Sequence, residues 1–103
     1  MDYRIDFASR EWESPMAGIR HKISDQAGCR LRLVEYARSM EPHWCPRGHA
    51  GIILEGRMEI EFDGETLVFE AGDGVHIPDG ETHRHRARVL TDTVTALFVE
   101  TAP

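Results

Sequence analysis

An all-β domain, a sandwich or barrel of short antiparallel strands, is what this sequence predicts. Three observations carry that expectation: the apolar residues fall in short runs bounded by Gly, Pro and Asp; helix signals are scarce; and Asp63-Gly64 divides two runs that read as a hairpin. With 103 residues and a hydrophobic content of 41%, there is room for one domain with one core, so 1–103 is read as a single unit.

Residues 1–18, with Trp12, Pro15 and Gly18, show the least pattern and are expected to form an edge strand or an arm laid across a partner subunit. Strands are expected over 19–23, 31–37 and 49–54. Next comes the hairpin. A two-residue type I′ turn needs positive φ at both positions, which Asp-Gly tolerates, so a turn closed on Asp63-Gly64 pairs Phe62 with Glu65, Ile60 with Leu67, Met58 with Phe69 and Arg57 with Glu70. That register, found from the turn alone, gathers the large apolar side chains on one face. Turns at 71–74 and 78–80 then delimit strands over 75–77, 83–89 and 94–100. The final strand is apolar on both sides, with Val94, Ala96 and Phe98 on one and Leu97 and Val99 on the other. One face packs inside and the second needs cover, which predicts a homodimer or a covering N-terminal arm.

Composition narrows function. No apolar stretch is long enough to cross a bilayer, and the N-terminus lacks the basic start and apolar run of a secretory signal, which predicts a cytoplasmic protein with no membrane partner. A net charge of -6 argues against a nucleic-acid surface. Arg84, Arg86 and Arg88 recur at a spacing of two, and a solvated outer strand face or a subunit contact is the favoured reading of them. Cys29 and Cys45 are too few for a disulfide framework and are read as reduced thiols.

Five of the six histidines lie between Glu41 and Ala87, in two clusters. The first, His43-Trp44-Cys45-Pro46-Arg47-Gly48-His49, leads into an apolar run ending at Gly56; the second runs from Gly72 through Pro78 and Gly80 to His83. These segments resemble the paired motifs of the cupin superfamily, small double-stranded β-helix barrels of jelly-roll type. In register, the first motif reads Ala37, His43, Cys45, His49 and Gly56, so that Cys45 stands where a second His is usual and His49 where a Glu is usual. The second reads Gly72, Pro78, Gly80, His83 and Ala87, matching in all but the last. The resemblance implies the barrel fold and a metal pocket inside it.

His43, Cys45, His49 and His83 are therefore the candidate metal ligands. Imidazole and thiolate donors suit a divalent transition metal, Zn, Fe, Ni, Co or Cu, better than Mg or Ca. Competing readings stand beside them: His43 as an exposed loop residue, and Cys45 as a small buried hydrophobe. His85, two beyond His83, is expected to point inward and is the candidate catalytic residue, with a satisfied core histidine as the alternative. His76 is expected to face away, and Asp73 and Asp79 to form turns. Gly51 is expected to face inward and leave space, while either Glu35 or Tyr36 reaches the pocket. Two functions follow: a metal-dependent enzyme acting on a small organic molecule, of the dioxygenase, isomerase or cyclase range that the resemblance implies, or a non-catalytic domain that binds a metabolite or metal.

Overall fold

Nine strands form two antiparallel sheets in the computed structural model, which describes residues 1–103. In chain order they are β1 (Glu13–Met16), β2 (Ile19–Gln26), β3 (Cys29–Ala37), β4 (His49–Glu55), β5 (Arg57–Phe62), β6 (Glu65–Glu70), β7 (Gly74–Ile77), β8 (Arg86–Val89) and β9 (Thr93–Thr101). The larger sheet runs β1-β2-β3-β9-β4-β7 and the smaller β6-β5-β8. They face each other as the all-β jelly-roll barrel that the sequence predicts.

The core lies between the sheets because period-two alternation puts one set of side chains there. From the larger sheet it takes Val34, Ile53, Ala96 and Phe98, and from the smaller Met58, Ile60 and Val89. The hairpin has the expected register: Phe62 pairs with Glu65, Ile60 with Leu67, Met58 with Phe69 and Arg57 with Glu70; Gly64 takes φ +86° but Asp63 keeps a negative φ, so the turn is not the type I′ expected. Arg84, Arg86 and Arg88 pair with Asp63, Glu61 and Glu59; Arg88 is on the solvated face favoured for the three, while Arg86 also reaches the cavity.

The N-terminal segment forms the edge strand β1 beside β2, and the residues before it lie over the outer face of β2 in the same chain. Lys22 Nζ donates to the Phe7 carbonyl at 2.8 Å, Gln26 Nε2 to the Asp2 carbonyl at 3.1 Å, and the Trp12 ring sits under Arg20 and Lys22. In this chain, then, the arm covers its own sheet.

Two expectations need correction. The strand expected to begin at His83 begins at Arg86, because Gly80, at φ +122°, feeds a single 3₁₀ turn over Glu81–His83. Gly51 leaves no space: a Cβ there would collide with the Leu97 carbonyl oxygen and crowd the Phe98 Cα at 3.0 Å. Glycine at this position permits close approach of β4 and β9.

The two glycines give contrasting expectations. Gly64→Val adds a side chain in open space but at positive φ, a strain of about 1–2 kcal/mol. Gly51→Ala forces two paired strands apart and is expected to cost about 3 kcal/mol, at the upper end for overpacking. Urea denaturation should rank Gly51→Ala as the less stable variant; the reverse order would contradict this packing.

Candidate functional site

A cavity of about 310 Å³ opens between the sheets, large enough for a small organic molecule. The inner face of β3 explains its character. Arg30, Arg32, Val34 and Tyr36 alternate inward, so the wall is cationic at one end and apolar at the other. Tyr36, and not Glu35, reaches the cavity; Glu35 turns outward to Arg20 at 3.0 Å. Burial pushes the Tyr36 hydroxyl up to about 12, with Glu100 and Cys45 adding to the rise, so it stays protonated and can donate a hydrogen bond.

The polar end is organised around Glu100, almost fully buried on the last inward position of β9. His49 Nδ1 lies 3.2 Å from Glu100 Oε2, and Arg32 Nη1 donates to the same oxygen at 3.3 Å. Burial alone would raise this carboxyl; the His49 hydrogen bond and the Arg32 charge outweigh it and hold Glu100 below the usual carboxylate range. Arg32 also donates from Nε to His21 Nδ1 at 2.9 Å. His21 must accept through that nitrogen, so its proton sits on Nε2.

His49 and His85 meet edge to face, with ring centroids 5.3 Å apart, and His49 stacks on Phe98 at 4.2 Å. His85 Nδ1 lies 3.2 Å from the His83 carbonyl, which can only accept, so Nδ1 carries the proton. The same reasoning holds for His49 against the ionised Glu100. Burial favours the neutral His85 ring, whose Nε2 lone pair is then uncommitted, and both residues line the cavity.

The loop carrying the first histidine cluster forms the mouth. Cys45 and His85 exchange backbone hydrogen bonds at 2.8 and 3.1 Å, Gly80 N–H donates to the Pro46 carbonyl at 2.9 Å, and the Asp79 carboxylate accepts from Gly48 N–H at 2.6 Å. Asp79 and Asp73 thus serve the turns, as their sequence context predicts; Asp73 accepts from Glu70 N–H at 2.8 Å. His76 is exposed and faces away from the core.

Of the four candidate metal ligands, His43, Cys45 and His49 line the cavity and His83 does not. His83 is exposed on its 3₁₀ turn, and His85 occupies the wall in its stead. His43 lies at the mouth, its Nδ1 3.3 Å from the Glu41 carbonyl, and Cys45 Sγ is turned toward the Arg47 carbonyl at 4.0 Å. No three His, Cys, Asp or Glu side chains come together in a geometry able to hold an ion. The donors present suit a transition metal by type, yet their placement does not form a centre for one. Both cysteines are free thiols.

A family model for the cupin domain matches residues 31–100. The chain belongs to the cupin family. Solved structures agree on the fold: KdgF from Halomonas sp. superposes with a TM-score of 0.71 at 20% identity over 95% of this chain and 94% of that one. The cupin domain of Schizosaccharomyces pombe Cnp3 gives a TM-score of 0.74 at 13% identity, over 97% and 74% of the respective chains. Uncharacterized protein YdbB of Bacillus subtilis (strain 168) is 49% identical over 41 residues, a match spanning 39% of this cupin and 36% of YdbB. At such identities the structural neighbours establish the barrel and leave the chemistry to the residues above.

Sequence reasoning missed His21, Arg30, Arg32, Arg47 and Glu100 as pocket residues. A signal existed for three of them. Arg30, just before the expected strand 31–37, and Arg32 share the parity of Val34 and Tyr36, and Glu100 that of Val94, Ala96 and Phe98, so each shares a face with apolar residues of its strand.

Burial holds the His85 ring below its ordinary value of about 6.5, with the neighbouring His49 and His43 acting the same way against the His83 hydrogen bond. His21 is lowered as well, by burial and then by Arg32. Above about pH 6.5 both are neutral in the folded and unfolded chains; below it the unfolded chain takes up protons that the folded chain refuses, and stability falls. Thermal midpoints should therefore decline as pH drops from about 6.5 toward 5, before any carboxylate titrates. His85→Gln should flatten that decline; a flat wild-type profile would contradict the assignment.

Proposed function

We propose that this cupin binds one small organic molecule in the cavity between its sheets, and that this cavity is its functional site. The observation that carries the reading is the cavity itself: about 310 Å³, apolar at one end, with fixed imidazole and guanidinium groups at the other. The binding step needs no ion. The motif residues that a transition metal would use, His43, Cys45, His49 and His83, are spread between the mouth, the wall and an exposed turn.

A catalytic reading of the same site is favoured by the His49 and His85 pair. Both rings have Nδ1 committed elsewhere and turn Nε2 toward a bound molecule, and the His85 ring offers it as a proton acceptor, which supports proton-transfer chemistry of the isomerase kind, with His85 as acid or base. Burial that keeps His85 neutral near pH 7 favours the base role. A cytoplasmic setting fits this reading, and no helix is long and apolar enough to cross a membrane.

A second copy of the chain is proposed as the partner. The outer face of β4 and β9 leaves Ile52, Leu54 and Val99 exposed at 39%, 45% and 44%, beyond the reach of the N-terminal arm, which lies over β2. Apolar strand faces of this kind mark interfaces.

Methionine methyl NMR tests the binding reading. Met16, Met40 and Met58 line the cavity and Met1 does not, so a small-molecule panel should contain compounds that shift the first three signals and spare Met1. Chelation with EDTA should leave those shifts unchanged, and solvent deuterium should enter a turned-over ligand in the wild type but not in His85→Gln. A panel that moves none of the three signals sinks the binding reading. For assembly, light scattering at micromolar concentration should return twice the 11.7 kDa chain mass, and Val99→Lys should return the single mass.

A further inference from the structure

We infer that the molecule bound in this cavity carries a carboxylate on an apolar body, and that Arg32 and Arg47 hold that carboxylate. The inference rests on the proposed binding function and specifies its ligand. Four arginines line the cavity against one acid, Glu100, in a chain whose net charge is -6. Two are already neutralised from outside: Arg30 makes a two-pronged pair with Asp25 at 2.8 and 2.9 Å, and Arg86 pairs with Glu61 at 2.9 Å. Arg32 and Arg47 remain, and both lean on Glu100, at 3.3 and 4.0 Å. One carboxylate between two guanidiniums leaves one positive charge unbalanced, with Arg32 largely buried and Arg47 half-exposed at the opening.

The hydrogen-bond inventory points the same way. Arg32 spends Nε on His21 and Nη1 on Glu100, which leaves Nη2. Arg47 donates from Nη2 to the Thr101 carbonyl at 3.0 Å, which leaves Nη1. Uncommitted N–H groups on two guanidiniums flanking one buried acid present donors that a second carboxylate can accept from, and such charge-assisted bonds are about twice as strong as neutral ones. His21 cannot compete, since Arg32 uses its lone pair.

The rest of the ligand is set by the other end. Tyr36 lies four residues beyond Arg32 on the same inner face, its backbone about 13 Å away at the usual strand rise and its hydroxyl directed back toward Arg32 and Glu100, while Met16, Ile19 and Met40 form an apolar wall at that end. A bare inorganic anion would leave that wall unfilled. An acid with an aromatic or medium-length aliphatic body spans both ends.

Equilibrium binding, read by the methyl signals of Met16, Met40 and Met58, decides the matter. The probes are monocarboxylates from propanoate to octanoate, benzoate and 3-phenylpropanoate, each with its primary amide, and inorganic phosphate. The best acid should bind at least tenfold more tightly than its own amide and than phosphate. Arg47→Gln, at a half-exposed side chain whose one hydrogen bond is to a carbonyl, should fold normally by circular dichroism, cut acid affinity at least tenfold and leave amide affinity unchanged. Amides that bind as well as acids, or an acid preference that survives Arg47→Gln, overturn the carboxylate inference while the binding function stands. If phosphate matches the best acid, the apolar half of the inference falls. If no probe of any kind moves the three methyl signals, both the inference and the binding function fall.

Discussion

The buried carboxylate of Glu100 is the constraint on which the polar half of this barrel depends. Taking an ionised carboxylate out of water costs several kcal/mol unless partners replace the lost solvent. Here the replacements come from the two strands beside β9 and from Arg47 in the loop before β4. Arg32 on β3 and His49 on β4 both bond to Glu100 on β9, so one acid ties together the central strands of the larger sheet. The dependence runs both ways, because Glu100 is the carboxylate that both the Arg32 and Arg47 guanidiniums approach. The network also fixes hydrogen positions in the site: an ionised Glu100 puts the His49 proton on Nδ1, and the guanidinium of Arg32 puts that of His21 on Nε2.

Much of the fold was legible in the sequence because its signals were local. The two-residue turn at Asp63-Gly64 sets the register of its hairpin without reference to anything distant, and every pair inferred from it is present, although Asp63 keeps a negative φ and the turn is not the type I′ expected. Parity along a strand likewise grouped Val94, Ala96 and Phe98 on one face and turned His76 outward. What parity cannot supply is which strands lie side by side. Arg32 and Glu100 are 68 residues apart in the chain, and their pairing follows from the β3 to β9 adjacency, a property of the whole topology. Gly51 shows the same boundary. An inward glycine can mean an open pocket or a neighbouring backbone pressed close, and only the position of Leu97 decides between them.

The candidate metal set was read from spacing, and spacing is reliable only where the local geometry is regular. His43, Cys45 and His49 lie where a loop enters a strand, and they do reach the cavity. His83 was assigned a strand position, but the 3₁₀ turn after Gly80 rotates it outward and delivers His85 to the wall two residues later. The Cys45 and His85 backbone bridge then fixes His85 beside the loop. The inward direction inferred for His85 holds, fixed by its bridge to Cys45, even though its strand starts three residues later than expected.

These substitutions change what the barrel can do with its interior. An imidazole at His49 in place of a carboxylate at the motif position is turned toward Glu100, and its remaining nitrogen faces a space shared with His85. The anionic group of the site has in effect moved from the mouth strand to the end of β9, where arginines outnumber it. A pocket arranged around a metal concentrates donor lone pairs on one point. This one distributes N–H donors and imidazole lone pairs along a wall and keeps the far end apolar, an arrangement complementary to an elongated molecule with a polar head. The geometry of recognition here follows from where the charges lie along β3 and β9, and the barrel supplies the rigid frame that holds them there.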